Sequence, residues 1–68
     1  MKGKKLFTAW GPRGGKPDTF VGGRGPLRFA DGTVADPGHV LIWRIWAQNW
    51  YQACRKYHAM QGWDPPSP

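Results

Sequence analysis

Two short glycine-rich segments carry the side chains best suited to chemistry: Arg13-Gly14-Gly15-Lys16 and Gly22-Gly23-Arg24-Gly25. A backbone without Cβ atoms can approach a phosphate closely, and a guanidinium can pair with phosphate or stack on a base. Trp10 and Phe20 flank these segments and supply candidate stacking surfaces. Lys4, Lys5 and Arg28 extend the same basic set. The expected chemistry is therefore recognition of nucleic acid or of an acidic protein surface. The competing reading is that both segments are plain connectors between strands.

Other chemistries lack their parts. Gly15-Lys16 is not a nucleotide-binding P-loop, because Trp10 stands where its first glycine belongs and Pro17 where Ser or Thr must hold magnesium. Gly23-Arg24-Gly25 is not a dinucleotide fingerprint, because Arg28 replaces its last glycine. The sequence contains no glutamate, and its one serine, Ser67, lies among prolines. Asp18, Asp31, Asp36 and Asp64 each sit next to, or one residue away from, Gly or Pro, which is turn chemistry rather than a paired-carboxylate site. Cys54 and His58 share a helical face, but two ligands do not make a metal centre, and a thiol on an apolar stripe behaves as a small hydrophobe. No catalytic residue, metal or cofactor is expected.

The charge is unevenly spread. Residues 1–28 hold seven Lys and Arg against Asp18 alone, whereas residues 29–68 hold three cations against three aspartates. The whole net charge of +6 thus falls in the first half. Such asymmetry favours an acidic partner, although it also keeps an aromatic-rich chain soluble. With 68 residues the chain has room for one domain, expected over residues 1–64, with an extended proline tail at 65–68. A lone cysteine excludes an internal disulfide. Packing therefore falls to five Trp, two Tyr and three Phe. The apolar stretches are too short for a secretion signal or a membrane span, so a cytoplasmic, reducing compartment is the expectation.

The elements that must position these residues follow from pattern. Lys4 to Trp10 reads as a strand stopped by Gly11-Pro12, with a Gly/Pro-rich loop at 11–26 containing a brief strand at Thr19–Val21. Leu27 to Ala35 reads as a hairpin around a two-residue type I′ turn at Asp31-Gly32. His39 to Ala47 is the strongest strand, with Leu41, Trp43, Ile45 and Ala47 on one face and Val40, Ile42, Arg44 and Trp46 on the other. Such a strand is central, or covered on one side by a helix. Asn49 and Gln52 form a capping box, and Trp50, Ala53, Cys54, Tyr57 and Met60 form the apolar stripe of a helix that Gly62 ends. Trp43 and Trp50 are core by pattern, while Trp46 and Trp63 sit at margins. The expected fold is α+β: a small antiparallel sheet of three to four strands with one C-terminal helix packed on it.

The run from Ile42 through Ala47 into the segment Asn49 to Trp63 resembles the strand-to-helix junction of short phage and prophage proteins, over about a third of the chain. The element order is also similar to that of the T7-type phage inhibitors of host RNA polymerase, which implies a small sheet and one helix. There the chain returns in a further strand after the helix, whereas Pro65, Pro66 and Pro68 occupy that region here. The contacts of those inhibitors use acidic residues, and this chain is basic, so no functional residue transfers.

The sequence thus leads to a small non-enzymatic binding protein, phage-encoded on that resemblance, acting in the host cytoplasm. Its partner would be nucleic acid or a nucleic-acid-handling host complex, met through Lys4, Lys5, Arg13, Lys16, Arg24, Arg28, Trp10 and Phe20. The alternatives are a virion or assembly component held by exposed tryptophans, and an inhibitor of a host or defence protein. Oligomeric state is not legible.

Overall fold

A computed structural model describes residues 3–67. Lys2 of the basic N-terminal run and Pro68 of the tail lie outside the described residues. The elements are β1 (Lys5–Pro12), β2 (Thr19–Gly22), β3 (His39–Ala47) and α1 (Trp50–Gln61). The three strands form an antiparallel sheet in the order β2-β1-β3, with the helix on one face, so the α+β expectation holds. Among the described residues no helix is long and apolar enough to cross a membrane. Residues 63–67 form no strand, and the sheet has no fourth member among the described residues.

The strongest strand by pattern is not the central one. β3 is an edge, covered on one side by α1, and β1 lies in the middle. Burial agrees: Phe7, Thr8 and Ala9 of β1 are consecutive and all buried. A strand between two others, with both faces covered, loses the alternation that marks a half-exposed one. β1 also runs two residues past the expected stop. Gly11 and Pro12 pair with Val40 and His39, and Pro12 is tolerated because it ends the strand.

The alternation in β3 is interrupted. Ala9 faces Trp43, but Trp10 faces Leu41, so β3 carries a bulge around Ile42. Trp43, Ile45 and Ala47 therefore share the helix side with Phe7 and Ala9. Leu41 pairs with Trp10 on the opposite side rather than joining Trp43, because the extra residue shifts the period.

The Leu27–Ala35 hairpin forms, with Arg28 bridged to Val34, but it stands outside the sheet. Its turn is not type I′. The Gly32 amide donates to the Phe29 carbonyl and the Phe29 amide to Thr33, and only Gly32 has positive φ. This is a three-residue loop, a type I turn followed by a left-handed glycine. Asp31 escapes positive φ because its carboxylate accepts from the Thr33 amide and hydroxyl. Those bonds, the amide first, hold its pKa below the ordinary carboxylate value.

The helix starts and stops as its sequence implies. Asn49 Oδ1 accepts from the Gln52 amide at 2.9 Å. The Gln52 side chain reaches back to the Gln48 amide at 3.2 Å, one residue before the cap of a standard capping box. At the other end Gly62, at φ 80°, donates to Ala59, and Trp63 donates to His58. That is a Schellman ending, with the Trp63 ring closed against Tyr57.

The helix meets the sheet through the row Ala53, Tyr57 and Gln61, which is buried. Ala9, Ala47 and Ala53 are fully buried and let helix and sheet approach, while Phe7, Ile45, Tyr57, Phe20 and Trp43 fill the volume. Phe20 lies flat on Tyr57, with centroids 4.5 Å apart and planes 9° apart. Trp50 and Met60, expected in the core, are instead 52% and 45% exposed. The two belong to the flanks of the Ala53–Tyr57–Gln61 row, and the helix contacts the sheet along that narrow row only. Gln61 takes the buried place, donating to the Pro17 carbonyl at 2.6 Å and to the Tyr57 hydroxyl at 3.1 Å.

Two substitutions test this arrangement. A Cβ at Gly11 would lie 2.6 Å from the Lys16 carbonyl oxygen and 2.7 Å from Pro17 Cα, both backbone. Gly11→Ala should cost about 1–3 kcal/mol in urea denaturation, the range for overpacking, and an unchanged midpoint would contradict the tight loop. Asn49→Ala should cost about 1 kcal/mol, with reduced helical circular dichroism on heating. Equal melting of the two proteins would mean that the cap contributes nothing.

Candidate nucleic-acid interface

The sheet separates the basic residues that the sequence groups together. Arg13 and Lys16 lie in the turn between β1 and β2. Arg24 follows the far end of β2, where the Gly23 amide donates to Leu6. The eight-residue β1 lies between them, about 25 Å at ~3.3 Å per residue. Arg13 and Gly23 therefore lie toward different ends of β1, although Gly25 folds back against Thr8 and Trp10 at its middle. Arg28 is on the separate hairpin, its guanidinium donating to the Gly32 carbonyl at 2.7 Å.

The aromatic partners of these segments are also committed elsewhere. Phe20 is clamped between Tyr57 and Trp50 on the helix side of the sheet. The Trp10 Nε1–H donates to Thr8 Oγ1 at 2.8 Å, and the Thr8 hydroxyl donates to the Gly23 carbonyl at 3.0 Å. A Cβ on Gly25 would sit 2.5 Å from that indole nitrogen, so the chain after β2 folds back over Thr8 and Trp10. Thr8 is left 1% exposed beneath it. Trp10 is thus a strut for the crossing segment rather than a platform beside residues 13–16.

Charge collects differently in space than along the chain. At the pole where β1 ends in Pro12, His39 Nδ1 lies 3.5 Å from Asp18 and 3.9 Å from Asp36. The helix C-terminus arrives at the same pole through Gln61 and Pro17, followed by Asp64, whose carbonyl is 2.9 Å from His58 Nδ1. Three of the four aspartates follow this end of the fold, and the fourth, Asp31, is occupied in its own hairpin turn.

Toward the opposite pole, along the flank where α1 meets the β3 edge, cations gather without carboxylates. Lys4, Arg44 and Lys56 line a shallow groove of about 420 Å³ together with Ile45, Trp46, Ala59 and Met60. None of these residues is acidic. The three cations come from the chain before β1, from β3 and from α1. Lys56 Nζ donates to the Trp46 carbonyl, which blocks that position of the β3 edge. Trp46 is 44% exposed. Lys5 pairs with Ala47 at the same end of the sheet, and Arg55 lies one residue from Lys56 on an exposed part of the helix.

Of the sequence-derived candidates, Lys4 lines this groove, and Lys5 and Arg24 flank its end of the sheet. Arg44, Lys56, Trp46 and Met60 are new. Their signal in the sequence is faint, because their half of the chain is neutral overall. The available clue is that Arg44 and Trp46 alternate on one face of an otherwise apolar strand.

Cys54 and His58 do not form a site. No group of three or more His, Cys, Asp or Glu side chains among the described residues is placed to hold a metal ion. Cys54 is half-buried, and burial raises its thiol pKa above the ordinary value. Iodoacetamide should therefore alkylate it more slowly at pH 8 than a free cysteine, and equal rates would contradict the burial.

No protein-family model matches this chain, and neither a curated protein nor a solved structure matches it.

Proposed function

We propose that this is a small non-enzymatic binding protein that takes the phosphate backbone of nucleic acid at its carboxylate-free pole. The observation that carries the reading is the convergence of Lys4, Arg44 and Lys56, from three separate segments, on one open groove beside Trp46. Cations held together without intervening carboxylates release counterions when a polyanion binds, and that release supplies affinity independent of base sequence. Lys5 and Arg24 extend the surface toward the β2 side. Arg13 and Lys16, at the opposite pole beside Asp18, contribute long-range attraction rather than contact.

A second reading rests on a different place. Leu27 and Phe29 on the separate hairpin are 46% and 61% exposed. An apolar pair presented this way suits a protein contact, as in a virion component or an inhibitor of a host protein. Salt-insensitive association abolished by Phe29→Ser would favour it.

Intrinsic tryptophan fluorescence during titration with nucleic acid at several salt concentrations tests the first reading. Three phosphate contacts on a single strand give a slope of log K against log salt of about −2. Arg44→Ala should weaken binding to all sequences alike and flatten the slope by about 0.7, one contact's share on a single strand. Arg13→Ala should leave the slope unchanged. If Arg13→Ala has the larger effect, or no nucleic acid binds at low salt, the groove is not the interface.

A further inference from the structure

The buried side of α1 is the row Ala53, Tyr57 and Gln61, and much of the rest of its circumference is exposed. With about 3.6 residues per turn, Arg55 and Ala59 fall on the side opposite that row, with Gln52 beside them. A second shallow groove of about 380 Å³ lies over this outward side, lined by Gln52, Arg55, Lys56 and Ala59. It shares Lys56 and Ala59 with the cation groove, so the two surfaces are continuous. No residue of α1 is acidic. The only ion pairs among the described residues are those of His39 with Asp18 and Asp36, so Arg55 meets no carboxylate. The segment that crosses the sheet runs over Thr8 and Trp10, on the face turned away from the helix.

This outward side has the form and chemistry to enter the major groove of DNA. A helix with its side chains is about 10–12 Å across, and the major groove of a B-form duplex is about 12 Å wide. The helix runs for about 18 Å. Lys56 stands on the flank next to the β3 edge, where Arg44 and Lys4 line the same groove, and the three cations form one wall for one phosphate strand. Arg55 lies further out, and a guanidinium fork matches O6 and N7 of guanine. Gln52 is spent on Gln48, through bonds of 3.2 and 3.3 Å, and Ala59 adds no bulk that would hold a base edge off. A single strand finds less here. Trp46 pairs with Leu6 on the sheet face turned from the helix, whereas Trp50 stacks on Phe20 on the helix side, so the exposed indoles make no continuous stacking track.

We infer that the nucleic acid bound at the groove is a B-form DNA duplex, with the outward side of α1 in its major groove, Arg55 on a guanine edge, and Lys4, Arg44 and Lys56 on the phosphates of one strand. The inference rests on the phosphate-groove reading and names its substrate class. The cation groove supplies affinity without regard to sequence, and Arg55 adds a base preference that phosphate contacts do not carry. An RNA duplex fits worse, because the deep, narrow major groove of the A-form excludes side chains.

The test is fluorescence anisotropy with a short labelled DNA duplex. It is set against the same duplex with every guanine replaced by 7-deazaguanine, the RNA duplex of the same sequence, and one separated DNA strand. The unmodified DNA duplex should bind tightest. Loss of the N7 acceptor should weaken it about 5-fold, the lower end of the range for one base contact. Arg55→Ala should bind the two DNA duplexes alike, with helix content by circular dichroism unchanged. Arg44→Ala should instead flatten the salt slope by about 0.9, one contact's share on a duplex, and keep the N7 preference.

Equal binding of duplex and single strand, or of the normal and the 7-deazaguanine duplex, would overturn the major-groove reading, and a slope still flattened by Arg44→Ala would leave the phosphate groove standing. An Arg55→Ala variant that lowers the slope yet keeps the N7 preference would overturn it too, by making Arg55 a phosphate contact. No binding of any nucleic acid at low salt would overturn both readings.

Discussion

The Pro17 carbonyl sets the orientation of the molecule. It accepts from the Gln61 amide and is approached by the Tyr57 hydroxyl at 3.4 Å, so the last turn of the helix is tied to the loop between β1 and β2. That loop is itself held against β1, since Asp18 donates its amide to Trp10 and Gly11 leaves no space beneath Pro17. A buried amide side chain with a satisfied carbonyl is retained because breaking the pair would strand a polar group in the interior. With the helix C-terminus fixed at one pole, its first turn must lie at the other. Trp50 is thereby delivered to the end of the sheet where Lys5 pairs with Ala47, and Lys56, in mid-helix, faces the β3 edge.

The polarity of charge follows from the same tie. Asp18, Asp36 and Asp64 are distant in sequence, yet each belongs to a turn or helix end at the Pro17 pole. Aspartate serves those turns by accepting from nearby donors, which is local chemistry. The consequence for charge is global: the groove between α1 and the β3 edge keeps its cations without carboxylates in its lining. A small domain has little net stability, typically about 3–5 kcal/mol, and cannot hold a cluster of like charges in its interior. Here the cations sit on the rim of an open groove, where water screens their repulsion.

The aromatic residues divide along the same lines. Trp10, Phe20, Trp43 and Tyr57 are spent on packing: one braces the crossing segment and the others join sheet to helix. Trp46, Trp50 and Trp63 remain largely exposed. The large side chains in the core stand against alanines at three fully buried positions, and this pairing of large with small gives so short a chain a close-packed interior.

The sequence by itself determined the elements and the ends of β3 and the helix. Period-two patterning marks β3, Asn49 and Gly62 bound the helix, and the α+β class follows from three β-prone runs and one amphipathic run. These are local properties, set by the conformational preferences of a few adjacent residues. The order of the strands, the bulge at Ile42 and the turn type at Asp31 were decided by pairing and hydrogen bonds with partners that sequence spacing does not reveal. The candidate site was the least legible part. Summed along the chain, Arg44 and Lys56 belong to a neutral half and Arg13 to a basic one. Folding reverses their significance, because electrostatic interaction depends on distance in space: Arg13 follows the far end of β1 from Lys4, while Arg44 and Lys56 join Lys4 in one groove.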